Sequence, residues 1–174
     1  MKEYIRHRLR ESIISNPLRL PKNIEITEAD KNIIKNISWE ELNVIDNGSS
    51  GNIFHFNIEI PNVNDEINQN LMVDIQVIRN ILYQMHINIP NTVQNMGLGY
   101  KIYLTMINYL GQVYSGKGRR HNEYVNNIWS KLKNEPSIDC YSNELGYICF
   151  SKQVPDDEKN QILNTLNFNS NKIS

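Results

Sequence analysis

The chain has 174 residues, with 18 Lys and Arg against 19 Asp and Glu, a net charge of −1. That length suits one domain with its own core, and the even balance excludes a global field for polyanions. Two cysteines alone, Cys140 and Cys149, argue against a disulfide scaffold or a structural zinc site.

Residues 2–15 set Tyr4, Ile5, Leu9, Ser12 and Ile13 near one helical face, with Lys2, Arg6, Arg8 and Arg10 elsewhere. The spacing predicts a basic amphipathic helix, which either packs on its own domain or docks on a protein partner or an anionic surface. Pro17 and Pro21 end it. A second helix starts with Thr27 as N-cap and the acids Glu28 and Asp30 in its first turn.

The period then changes to two. Phe54, Phe56, Ile58 and Ile60 alternate with His55, Asn57 and Glu59, which reads as a half-buried strand. Strands follow at 71–78 and 81–89, joined by Arg79-Asn80 as a two-residue hairpin turn. A helix at about 98–110 buries Ile102, Tyr103, Met106, Ile107 and Leu110 and stops at Gly111. Residues 112–115 form a short strand and 116–120 a basic loop, and Asn122 caps a helix to about Lys133. Residues 136–142 and 146–152 make a last hairpin around Asn143-Glu144-Leu145, with Cys140 and Cys149 as buried structural thiols. Pro155 and the acids after it begin a terminal helix, and the tail frays from Asn167. The fold class is therefore α/β, a mixed and mostly antiparallel sheet flanked by helices, with an added N-terminal helix.

The run Gln94-Asn-Met96-Gly97-Leu98-Gly99-Tyr100 lies between the strand at 81–89 and the helix after it. A glycine turn that opens a helix leaves unpaired N–H groups at the positive end of the helix dipole, a ready site for a pyrophosphate. Gln94-x-x-Gly97-x-Gly99 matches the signature Gln/Arg-x-x-Gly-x-Gly/Ala, and with this element order the chain resembles the GNAT superfamily of acetyl-CoA-dependent N-acetyltransferases. A second stretch, Asn122-Glu-Tyr124-Val-Asn-Asn-Ile128-Trp129, is similar to the family's later helix, Asn-x-x-Ala-x-x-Leu-Tyr. The resemblance covers residues 50–152. It implies a GNAT-like acyl-CoA-binding core at 41–152, with a helical arm at 1–40 and a C-terminal helix and tail at 153–174.

The resemblance implies that backbone amides from Met96 through Leu98 to Tyr100 hold the pyrophosphate of acetyl-CoA or another acyl-CoA. The strand end at Ile87–Ile89 would pair with the pantetheine amides, and Asn122 would touch the cofactor arm. Arg119, in the basic loop with Lys117, Arg120 and His121, would meet the phosphates. Where the family often has a tyrosine that protonates the leaving thiolate, this chain has Trp129, whose indole N–H donates a hydrogen bond but is no general acid. Tyr124 is the nearest substitute.

Transfer to an amine acceptor also needs a base. The candidates are His86, Glu59 and Asp74. A two-residue turn at 79–80 would set His86 on the side of Val73, Ile75 and Val77, among apolar neighbours. The blander readings are a packed histidine and two carboxylates on a solvated strand face. Gly111…Gly116-Lys117-Gly118 resembles a phosphate-binding loop but has glycine where a magnesium-binding hydroxyl is needed. No metal-spaced His/Cys set is present, and one basic loop without stacking aromatics makes a nucleic-acid partner unfavoured.

The functional expectation is acyl-CoA-dependent N-acylation of an amine. The alternative is a non-catalytic module of the same fold, such as a phage or virion-associated protein. Asparagine (27) and isoleucine (25) fit the A+T-rich genome of a phage or low-GC bacterium. No apolar run approaches the roughly 18–20 residues of a membrane span, so a location in the cytoplasm, a host's included, is expected.

Overall fold

In the computed structural model, residues 24–116 and 123–168 are described. Thr27 opens helix α1 (Glu28–Asn36) through a reciprocal cap: its hydroxyl accepts from Asp30 N–H while the Asp30 carboxylate accepts from Thr27 N–H at 2.9 Å. The helix buries Ile34, and its end is fastened to the core by the Lys101 ammonium, which donates to the Ile34 and Lys35 carbonyls. Ile24, Ile34 and Ile37 thus belong to the main core, although the sequence places them in an arm.

Strands β1 (Asn43–Ser50), β2 (Ile53–Glu59), β3 (Met72–Ile78) and β4 (Leu82–Asn88) follow, with a short helix α2 (Asp65–Asn70) between β2 and β3. Helix α3 (Leu98–Leu110) leads to β5 (Gln112–Gly116), and α4 (Glu123–Leu132) to β6 (Ile138–Ser142), β7 (Gly146–Ser151) and α5 (Asp156–Thr165). The seven strands form one sheet in the order β1-β2-β3-β4-β5-β7-β6. Neighbours are antiparallel except β4 and β5, which are parallel because α3 carries the chain back across the sheet. Element order from residue 53 follows the expectation, apart from α2. The helix expected at 2–15 and residues 117–120 of the expected basic loop lie outside the described residues.

The period-two pattern decides which face each strand buries. Phe54, Phe56 and Ile58 of β2, Val73, Ile75 and Val77 of β3, and Tyr83 and Met85 of β4 pack with the buried sides of α3 and α4. On the opposite face α5 covers one end only, where Ile162, Leu163 and Phe168 meet Leu82, Ile148 and Phe150. Over β1–β4 that second face is mostly polar, with Ile45, Ile53 and Met72 among its side chains.

Two elements were not legible as such. β1 reads NVIDNGSS, too polar for a strand, and its pairing with β2 is broken by a bulge between Asp46 and Ser49, with Gly48 at φ 94°. α2 is only six residues long and buries one side chain, Ile67.

Both hairpins correct the expected register by one residue. Arg79 and Asn80 do form the turn, at φ 52° and 59°, and Ile81 N–H bonds to the Ile78 carbonyl. Ile81 is then an extra residue, and pairing resumes at Ile78↔Leu82. In the last hairpin Ser142 pairs with Tyr147 and Cys140 with Cys149, one residue further than a turn of Asn143-Glu144-Leu145 would give.

That register overturns the expectation of two thiols. Cys140 and Cys149 are buried but joined in a disulfide, because direct opposition brings their Cα atoms to 4.1 Å. Alkylation of the denatured, unreduced chain should therefore modify neither cysteine, and both after reduction. Labelling of either before reduction would contradict the bond.

Pro155 stands at the N-cap of α5 rather than inside it, with three acids in the first turn. Lys159 of α5 is 4% exposed and ion-paired to Asp139 of β6 at 3.1 Å and to Asp156 at 3.3 Å. Burial alone would lower its pKa, but the two carboxylates outweigh that and hold it raised. The stabilisation is present in full below the ordinary lysine range, ~10.4, and is lost as pH rises through the raised value. Lys159→Met takes the cation from the half-buried Asp139 carboxylate and should destabilise the fold by about 1–3 kcal/mol in denaturant unfolding at neutral pH. A change near zero would mean that the pair is solvated.

Candidate functional site

β4 ends at Asn88, and a short 3-10 turn, Asn91–Val93, with Pro90 at its N-cap, redirects the chain toward α3. The Gln94 side chain ties this turn together, donating to the Ile89 carbonyl at 3.2 Å and to Asn91 Oδ1 at 2.8 Å. Buried Val93 and Leu98 anchor the loop on either side. Between them Asn95 and Gly97 adopt left-handed backbone, φ 64° and 77°. Gly97 is the N-cap of α3, and no side chain caps the helix.

The consequence is electrostatic. The first-turn amides of Leu98, Gly99 and Tyr100 have no acceptor within the helix, and the first turn carries no acid. The dipole's positive end is therefore uncompensated. A Cβ built on Gly97 meets nothing within 4 Å, so glycine serves the positive φ there and not a close approach. Gly99 is buried, Met96 is half-buried, and Gln94 is exposed but bonded back to its own loop. Gln94 thus shapes the turn.

The neighbouring strands add an opening. β4 and β5 pair at one position, Gln84↔Tyr114. Past it, Ile87 and Ile89 are half-buried beside a strand edge that has no ladder partner on the β5 side among the described residues.

Tyr100 extends from α3 to Glu135, its hydroxyl donating to Oε2 at 2.7 Å. Burial and the facing carboxylate both push the phenol well above its ordinary range. For Glu135 burial acts upward, but the hydrogen bonds from Tyr100 and Ser137 prevail and hold it low. The pair ties α3 to the segment after α4.

Trp129 lies in the core. It is 2% exposed, stacked on Tyr147 with centroids 5.4 Å apart and edge-on to Tyr103 at 5.6 Å. Its Nε1 is buried with no hydrogen-bond partner. Arg119 and Asn122 lie outside the described residues, as does the side chain of Tyr124.

The candidate bases are rearranged by the β3–β4 register. His86 is opposite Asp74, not beside Val73, Ile75 and Val77, and it is exposed on the polar face. The apolar surroundings expected for it belong to Tyr83 and Met85 instead. Asp74 is bonded on its other side to His55 Nδ1 at 2.7 Å. His55 was not singled out by sequence; only the β2–β3 register, His55↔Asp74, brings the two together. Glu59 stands apart, beyond the β2–β3 ladder, next to Asn43 of β1.

No protein-family model matches the chain, and no curated protein matches its sequence. Among the described residues no helix is long and apolar enough to cross a membrane.

Proposed function

We propose that the protein is an acyl-CoA-dependent N-acyltransferase of the GNAT type, moving an acetyl group to an amine. The observation that carries this reading is the uncapped N-terminus of α3, reached through Gly97 at positive φ, beside two parallel strands paired at a single position. The amides of Leu98, Gly99 and Tyr100 suit a pyrophosphate, which needs several donors and a positive field at once. The free edge of β4 at Ile87–Ile89 suits a pantetheine arm, whose amides need backbone partners in an extended geometry. Bound acyl-CoA supplies the activated thioester. The protein's part is to hold it, to position the amine and to accept the amine's proton.

A second reading is a non-catalytic binding module, phage-encoded or virion-associated, that shares this fold. The burial of Trp129 favours it, because no ionisable acid then occupies the position where the family often has tyrosine.

Calorimetric titration of the protein with acetyl-CoA tests both. The acyltransferase reading expects one site per chain and release of free thiol when an amine is added. Binding without release with any amine would select the module. Absence of binding by the folded protein would remove the acyl-CoA site.

A further inference from the structure

Resting on the acyltransferase reading, we infer that the open polar face of β2–β4 receives a small cationic amine, with Asp74 pairing its charge and His86 taking its proton.

Strands β1 to β4 contain no lysine or arginine. Their second face carries two carboxylates, Glu59 of β2 and Asp74 of β3, among asparagine and glutamine side chains and the apolar Ile45, Ile53 and Met72. A sheet face with acids, amides and no cation suits an ammonium group and disfavours anions. His55, Asp74 and His86 form one row across three strands, His55↔Asp74 and Asp74↔His86. Residues directly opposite in an antiparallel pair have Cβ atoms about 5 Å apart, so the row is a contiguous cluster.

The row ends next to the opening. Gln84, two residues before His86 on the same face, makes the single β4–β5 pairing with Tyr114. His86 is the first residue of that face beyond it. An amine lying against Asp74 is thus also beside the strand edge proposed for the pantetheine arm.

The parts differ in role. The Asp74 side chain is 44% exposed, and one oxygen is engaged by His55 Nδ1. His55 is a positioning residue, fixing the carboxylate from the β2 side. Its Nε2 is buried with no partner, so the pair is not a closed structural network. His86 is exposed and supplies the ring nitrogen that accepts the proton. In that step an ammonium N–H bond breaks and an N–H bond forms on the imidazole, which returns the proton to water after turnover. The groups facing His86 are Asp74 and, through it, His55. Among the described residues no group of three His, Cys, Asp or Glu could hold a metal ion, so the row is read as a proton site.

The test uses spermidine as the amine and three readouts on the full chain. In NMR spectra without acetyl-CoA, spermidine should shift the His86 ring signals, and Asp74→Asn should abolish the shift. In thiol-release assays His86→Gln should lose on the order of 100-fold in kcat/KM. Asp74→Asn should raise the spermidine KM on the order of 10-fold while kcat falls far less, a split that a purely structural Asp74 would not give. Calorimetric affinity for acetyl-CoA should be unchanged in both variants.

Wild-type kcat/KM in His86→Gln would overturn the inference, as would His86 signals unmoved by spermidine. Acetyl-CoA binding without thiol release in the presence of spermidine would overturn it too, while leaving the acyl-CoA site standing. Failure of the wild-type protein to bind acetyl-CoA would instead overturn the reading on which it rests.

Discussion

Gly97→Glu should abolish acetyl-CoA binding, weakening it by on the order of 100-fold or more, about 2.8 kcal/mol. Two effects combine, and the geometry separates them. At φ 77° any L side chain is strained, at a cost of about 1–2 kcal/mol in folding stability. A Cβ on Gly97 meets nothing within 4 Å, so the new side chain is not crushed, and from the N-cap position its carboxylate can reach the amides of Leu98, Gly99 and Tyr100. There it competes for the same donors as a pyrophosphate and repels it. Gly97→Asn is the control, because asparagine tolerates left-handed backbone and carries no charge. Its melting temperature should stay within a few degrees of wild type, and its affinity should fall much less than that of the glutamate variant. Unchanged affinity in a folded Gly97→Glu protein would show that the glycine turn before α3 is a turn and nothing more.

The β4–α3 turn was legible because its requirements are local. Gly97, the loop before it and the apolar spacing of Ile102, Tyr103, Met106 and Ile107 are all set within a few residues, and each is where the sequence puts it. What the sequence did not give away was lateral. Arg79-Asn80 is a correct turn, yet Ile81 follows it unpaired, and nothing in the composition marks that extra residue. A shift of one residue exchanges the two faces of a strand. It moved His86 from an apolar neighbourhood to a polar row and put Asp74 opposite it. The same miscount in the last hairpin hid the pairing of Cys140 with Cys149. His55 shows the limit most clearly: its partner is 19 residues away and meets it only through the β2–β3 register. β1 failed for another reason, since an edge strand of asparagine, serine and glycine has too little apolar alternation to read.

Trp129 is the residue for which resemblance and packing disagree, and substitution should decide between them. Trp129→Ala removes the largest fully buried side chain of the core and should cost about 3–5 kcal/mol, enough to lower the melting temperature by roughly 10 °C. Trp129→Phe should behave differently. The ring stack on Tyr147 and the edge contact with Tyr103 survive in smaller form, and the buried indole N–H, which has no partner, disappears. Losing an unsatisfied donor recovers about 1–3 kcal/mol, which offsets much of the lost volume. Stability close to wild type is therefore expected. So is unchanged acetyl-CoA affinity, because a side chain with 2% of its surface exposed presents almost nothing to a ligand. If Trp129→Phe kept the fold but lost affinity tenfold or more, the indole N–H would be a cofactor donor and its lack of a partner a sign of the ligand it awaits. Equal affinity would make Trp129 a packing residue, and the acid that protonates the leaving thiolate would have to come from elsewhere, solvent included.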